Sequence, residues 1–421
     1  MTVTTFGAIL GLVVAIVLII YKVPPVYGMM VGALVGGIVG GASPTDTVSY
    51  MVSGASGMAS GIMRIIAAGM LAGFLIKSGS AETIAHTIVK KMGEKYALLA
   101  VVLAAWVLQA VGTFGDVIVV IVAPIALDIA SRTHYSRAAA SIALIGGIHA
   151  GNIVSPNANT IALAENFKLP LTTVMLGGLI PSAAGLLFSY IFMKILRNKG
   201  EMVDPSMIDH TESNENLPSF GRAIIGPICT IVLLMLRALV GITIDPIIAL
   251  PVGGIIGTIA TGQTKKMMDF ATTGISRMSS IVLLLLGTGT ISGIITNSAL
   301  KATLESLVQA SGMPGYLLAP ISGIVMGGAT ASCIAGATVA SQVFGSTILN
   351  FGVTGIQAAV MIHAGCCVFD CLPHGSFFHI SAGTLRMSIK ERLKVIPYES
   401  LIGFGMTVVA TIVYGVMGFT F

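Results

Sequence analysis

Apolar stretches follow one another along nearly the whole chain, and polar residues gather in short gaps between them. At about 20 apolar residues per bilayer crossing, the pattern predicts spans at Thr5–Ile20, Pro25–Gly41, Gly57–Ile76, Ala138–Val154 and Leu171–Leu196. The second half predicts Ala223–Leu236, Pro246–Ala260, Ile281–Ile295, Ala358–Phe369 and Ile402–Phe419. Two runs are too long for one crossing. Ala97–Ala130 is broken at Gly112-Thr113-Phe114-Gly115-Asp116, and Leu317–Leu349 is broken around Ala331–Gly336. Both read as re-entrant hairpins, about 97–130 and 317–349, that enter and leave on one face. Arg197–Phe220 holds Glu201, Asp204, Asp209, Glu212 and Glu215 and reads as the soluble linker.

The halves resemble each other. Shifted by 220 positions, Gly73 meets Gly293, Ser78 meets Ser298, Thr83 meets Thr303 and Tyr96 meets Tyr316. A polar patch then interrupts each half, at Ser155-Pro156-Asn157-Ala158-Asn159-Thr160 and at Cys371-Leu372-Pro373-His374-Gly375-Ser376. These give broken helices at about 152–160 and 369–377, with Pro156 and Pro373 stopping the preceding turns. The predicted fold is therefore an all-α polytopic membrane protein of two repeats, 1–196 and 221–421, joined by a cytoplasmic linker at 197–220. With a hairpin in each, a half crosses about five times, so the repeats are inverted. The positive-inside rule tests this arrangement. With both termini outside and the linker inside, all but four of the 22 Lys and Arg face the cytoplasm: Lys168, Arg237 and Lys301 fall outside, and Arg64 lies in a span.

Composition agrees. The 421 residues are 55% hydrophobic and only 9% charged, with a mean hydropathy of +0.96; a soluble domain carries about 25% charged residues. Glycine, at 51 residues, lets membrane helices pack closely. The net charge of +5 is spread over short loops, so no nucleic-acid partner is expected; the surroundings are lipid. Thr2 to Ile20 lacks a basic leading region and a small-residue cleavage site, and reads as a span. The five Cys fall in apolar stretches and need not form disulfides.

Polar groups at membrane depth must be satisfied internally or line a cavity, and paired breaks in two halves point to a transporter's binding site. Candidate substrate-binding residues are Thr113 and Gly115, Ser155, Asn157, Asn159 and Thr160, Ser332, and His374, Gly375 and Ser376. Helix N-termini at the hairpin tips would favour a carboxylate. Asp116, Asp370 and His149 are candidates for carrying a coupling proton, since an intramembrane ionisable group is functional by default. Arg64 would neutralise a carboxylate or snorkel outward. His363, Cys367 and Cys371, spaced by four, would share a helical face and suit a soft metal. Pro373 breaks that helix and the first half has no Cys, so no metal and no organic cofactor is assigned. H-E-x-x-H, G-x-S-x-G and Walker A patterns are absent from the sequence, so it does not read as an enzyme or a nucleotide-driven pump.

The run Gly146-Gly147-Ile148-His149-Ala150-Gly151 followed by Ser155-Pro156-Asn157-Ala158 resembles the His-Gly…Pro-Pro-His-Pro-Gly-Pro segment of the gluconate permease family, which belongs to the ion transporter superfamily. Cys371 to Phe378 lies where that family carries Asn-Asp-Ser-Gly-Phe-Trp, and Met387-Ser388-Ile389-Lys390-Glu391 resembles its Met-Ser-x-Lys-Glu. The chain departs from the family at Ser155, Asn157, Ala158, Asn159 and Thr160, and Asp370 lies upstream of the family's Asn-Asp. The resemblance implies a homodimeric, elevator-type proton symporter of the inner membrane for a sugar acid or related hydroxy or amino acid. Sodium in place of the proton, a channel, and a metal-dependent membrane enzyme are the alternatives.

Overall fold

The computed structural model describes residues 2–93, 96–203, 217–373 and 375–420. His374 and most of the expected linker, residues 204–216, lie outside the described residues.

With no water to satisfy backbone groups in a bilayer, an apolar chain must close its hydrogen bonds within helices; the regular structure of the described residues is helical, with two isolated bridges and no strand. The first half runs α1 (Thr5–Ile20), α2 (Pro25–Val39), α3 (Pro44–Ser56), α4 (Ala59–Lys77), α5 (Ser80–Met92), α6 (Ala97–Ala110), α7 (Gly115–Arg132), α8 (Arg137–Asn152), α9 (Ala158–Asn166), α10 (Leu171–Gly177) and α11 (Leu179–Ile195). The second half runs α12 (Phe220–Ala223), α13 (Ile225–Val240), α14 (Pro246–Ala260), α15 (Met267–Thr296), α16 (Leu300–Ser311), α17 (Leu318–Thr330), α18 (Cys333–Asn350), α19 (Gly355–Cys366), α20 (Ser376–Thr384) and α21 (Ile389–Ala410).

Both long apolar runs are interrupted where expected. Gly112 turns the chain between α6 and α7 at φ +97°, a conformation that glycine adopts without a Cβ penalty. Ala331 makes the corresponding turn between α17 and α18 at φ +44°. Ala331 lacks that freedom, so the second tip is the more strained. The patches separate α8 from α9 and α19 from α20.

Other elements depart from the expectation. The helices α3, α5 and α16 escaped a hydropathy reading because their polar faces lower its mean. Leu171–Leu196 is a pair bent by 42° at Gly178. The expected span Ile281–Ile295 is the end of the 30-residue α15, and Ile402–Phe419 is the end of a helix that begins at Ile389. Ser388 caps that helix and Glu391 bonds back to it, so Met387-Ser388-Ile389-Lys390-Glu391 is a capping box. Arg277 and Arg392, counted above as loop cations, lie inside α15 and α21. Arg392 is fully buried against Glu399 at 2.8 Å. Three described helices are long and apolar enough to cross a membrane alone, at Ala59–Lys77, Thr264–Thr296 and Ile389–Val416, and the bent pair makes a fourth.

Packing divides the helices into two groups, each drawn from both halves. In one, α1, α2, α3 and α4 pack with α13, α14 and α15. The crossing of α4 on α15 is backbone against backbone: a Cβ on Gly274 would stand 2.0 Å from the Gly69 carbonyl oxygen. In the other, α6, α8 and α11 pack with α19 and α21 directly or through one another, and α17 and α18 pack on α19. The amphipathic α5 and α16 touch both groups.

Candidate functional site

Between the two groups lies a cavity of about 600 Å³. One wall is the α1–α2 turn and α15, through Lys22, Arg277 and Leu284; the other is the α6–α7 and α17–α18 turns and both helix breaks. Gly115 and Asp116 open α7, Ala158 and Asn159 open α9, Cys333 opens α18 and Ser376 opens α20, and all six residues line the cavity. Four helix N-termini therefore converge on it, each with a partial positive charge. Neither α7 nor α20 has a side-chain cap, so their first donors are free for a ligand.

The first half supplies amides. Asn157 Oδ1 caps α9, accepting from the Asn159 N–H at 3.1 Å, the Thr160 N–H at 3.2 Å and the Thr160 hydroxyl at 3.2 Å. Its Nδ2 donates to Asn152 Oδ1 at 2.5 Å, which also accepts from Gln109 Nε2 at 3.2 Å. The second half supplies thiols, imidazole and a carboxylate. Asn159 Nδ2 reaches across to Cys333 Sγ at 3.3 Å and lies 3.2 Å from His363 Nε2. His149 Nε2 lies 3.2 Å from Asp370 Oδ1 and 3.4 Å from Cys371 Sγ. At the rim, Arg277 faces Asp116 at 3.5 Å.

The cavity thus brings together Gly115, Asp116, His149, Asn157, Asn159, Ser332, Asp370, Gly375 and Ser376 of the expected residues. Thr113, Ser155 and Thr160 are fully buried behind its wall, where Thr160 supports Asn157. Ser332 spends its hydroxyl on capping α18 through Ala335 N–H at 3.3 Å. Sequence reasoning missed Gln109, Asn152 and Arg277 as lining residues. The signal was there for the two amides: a polar side chain alone in an apolar run must find a partner or a cavity.

Arg64 is elsewhere. It joins Glu165 of α9 to Asp245, the N-cap of α14, the latter at 2.7 Å, in a separate cleft of about 430 Å³ with Lys168 and Thr172. Two carboxylates already occupy its guanidinium, so it does not meet a ligand of the central cavity. Among the described residues, His149, Asp370 and Cys371, and Cys333, Cys367 and Asp370, bring donor atoms within 4.8 Å of one another, a set that would suit a soft metal. Thiol hydrogen bonds account for the sulfur contacts, including Cys333 to Cys367 at 3.6 Å and Cys367 to the His363 carbonyl at 3.5 Å.

Residues 2–417 match the family described as GntP family permease. A protein of Haemophilus influenzae named as an uncharacterized transporter is 52% identical over 99% of this chain and 100% of its own length. The Gnt-II system L-idonate transporter of Escherichia coli is 24% identical over 68% of this chain and 71% of its own. A high-affinity gluconate transporter of the same organism is 20% identical over 76% and 77%. Among solved structures, the YdaH transporter of Alcanivorax borkumensis superposes with a TM-score of 0.64 at 13% identity, covering 89% of this chain and 90% of that one, which relates the folds alone. The chain belongs to the GntP permease family, and is a multi-pass membrane transporter rather than an enzyme.

Proposed function

We propose that this transporter imports a small hydroxylated organic acid across the inner membrane together with protons. The observation that carries the reading is the cavity onto which four helix N-termini converge, two from each half. Such a cavity favours an anion without burying a full countercharge. Relatives named for gluconate and L-idonate transport supply the substrate class. Backbone N–H groups at Gly115 and Ser376 hold the carboxylate, and Asn157, Asn159 and Gly375 frame the rest. Asp370, beside His149 at 3.2 Å, takes up the coupling proton, because a neutral carboxyl crosses apolar surroundings at far lower cost than an ionised one. Asp116 is the second candidate.

The layout behind this is two inverted repeats, 1–196 and 221–421, joined by a cytoplasmic linker, with both termini outside. The serial match of α6–α7 and α8–α9 to α17–α18 and α19–α20 supports it. So does the packing into two groups with the cavity between them, which suits elevator motion of the hairpin group against the other. Lys22, in the α1–α2 turn beside the cavity, belongs to a segment that the positive-inside rule assigns to the cytoplasm, which supports an inward-opening state. A homodimer completes the proposal, as the resemblance implies.

The test is uptake of labelled gluconate and shorter hydroxy acids into liposomes holding the purified protein. An imposed inward pH gradient drives accumulation, and a protonophore abolishes it. Uptake that needs Na⁺ and ignores the protonophore overturns the proton assignment. Absence of uptake for every organic acid overturns the substrate class. Reporters inserted after Gly200 and after Gly418 report opposite compartments; the same compartment for both overturns the inverted layout.

A further inference from the structure

We propose that Gln109 is the specificity-determining residue of the cavity and selects a ligand that presents a hydroxyl donor to it. The proposal rests on the reading of the cavity as a ligand site, and it names the group read there.

The argument is one of hydrogen-bond accounting. Asn157 is fixed in orientation by the helix it caps. Its Oδ1 accepts from the backbone N–H groups of Asn159 and Thr160, which only a carbonyl oxygen can do. Its Nδ2 must then point the other way, and it donates to Asn152 Oδ1. Asn152 is thereby fixed as well: its oxygen faces Asn157 and Gln109, and its Nδ2 lies 3.2 Å from Cys333 Sγ. Gln109 meets an acceptor and must offer Nε2 to it. The direction set by the α9 cap thus passes through two amides and leaves Oε1 as the free end of Gln109. That oxygen is buried and has no hydrogen-bond partner, in a residue only 4% exposed that lines the cavity.

A buried acceptor left unpaired is costly, and a ligand donor that satisfies it recovers that cost. A carboxylate cannot, since it has only acceptors. The oxygen stands near Gly115, whose Cβ, if present, would be 3.7 Å from it, so it sits beside the first N–H groups of α7. An acid whose carboxylate is held by those groups therefore brings its near hydroxyl to Gln109. A carboxylate donor site with a neutral acceptor next to it reads a hydroxy acid, and it penalises the same acid without hydroxyls.

The experiment measures thermal stabilisation and affinity of the purified full chain with D-gluconate, with hexanoate of equal carbon number, and with the uncharged polyol D-glucitol. The wild type prefers gluconate over hexanoate by roughly ten- to hundredfold or more. Gln109→Met lowers gluconate affinity by a similar factor, leaves hexanoate within about threefold, and so collapses the ratio. Asn152→Leu, which frees Gln109 to turn, lowers the ratio while Gln109 itself is retained. Equal affinity of the wild type for gluconate and hexanoate overturns the proposal, even if Gln109→Met fails to fold. So does a ratio unchanged in Gln109→Met, and in that case the organic-acid reading stands. Glucitol binding that depends on Gln109, with neither acid bound, keeps the proposal and overturns the organic-acid reading. Wild-type protein unmoved by all three compounds overturns both.

Discussion

The two breaks that face each other across the cavity are built alike and furnished differently. Both follow a buried helix and both open a nine-residue helix at the cavity. The first carries a side-chain cap and an amide relay, from Asn157 through Asn152 to Gln109. The second has no side-chain cap, and its neighbours are Cys333, Cys367, Cys371, His149 and Asp370. The backbone therefore sets a common geometry, and the side chains divide the labour. The amide side holds fixed donors and acceptors that do not titrate. On the proposed reading, the other side holds Asp370 as the group that exchanges a proton. A symport cycle needs both, one to recognise a ligand and one to couple it to the gradient.

The comparison breaks most completely at Asp370. Asp370→Asn is expected to abolish accumulation driven by a pH gradient while gluconate still binds, read in liposomes and by titration of the detergent-solubilised protein. Normal proton-driven uptake by this variant moves the coupling role to Asp116.

On the amide side the expected losses are of affinity. Asn157→Ala removes a helix cap and the anchor of the relay together. The cap alone is worth about 0.5–2 kcal/mol of stability, and organic-acid affinity should fall roughly ten- to hundredfold, since a hydrogen bond to a charged ligand contributes about 1.5–3 kcal/mol. Coupling in the molecules that still transport should be unchanged, as judged by the protons moved per substrate.

The smallest effect belongs to a region outside the comparison. Glu165→Gln weakens the pair with Arg64, whose side chains keep 26% and 22% of their exposure. A pair so open to water is worth at most about 1 kcal/mol, and Asp245 remains as a partner at 2.7 Å. Gluconate affinity should stay within about twofold of wild type. A tenfold loss would bring the Arg64 cleft into the binding path.

Much of this was legible in the sequence. Overlong apolar runs with Gly112 and Ala331–Ser332 inside them mark the turns between α6 and α7 and between α17 and α18, because a bilayer fixes how long a span can be. Pro156 and Pro373 fall inside the breaks, but α8 and α19 already end at Asn152 and Cys366, so the prolines keep the breaks from refolding into helix rather than ending the helices before them. The amphipathic helices were not legible by hydropathy, since α5 and α16 mix polar and apolar residues and need tertiary contacts to declare them. Counting cations by loop misplaced Arg277 and Arg392; a lone Arg near a span end reads the same whether it faces water, a cavity or a buried carboxylate such as Glu399. The direction of the Gln109 relay depends on which atoms meet across 43 and 5 residues of sequence separation, and no local pattern encodes it.

The central claim is that one ligand site is built from both halves of the chain, and side-by-side titration of Asn157→Ala and Ser376→Ala with the organic acid that the wild type binds tests it most directly. Asn157 comes from the first break and Ser376 from the second, and both line the cavity. The account predicts that each variant loses roughly tenfold or more in affinity while its thermal midpoint stays clear of unfolding at the assay temperature. Wild-type affinity in both variants would contradict it, and would place the site away from the breaks.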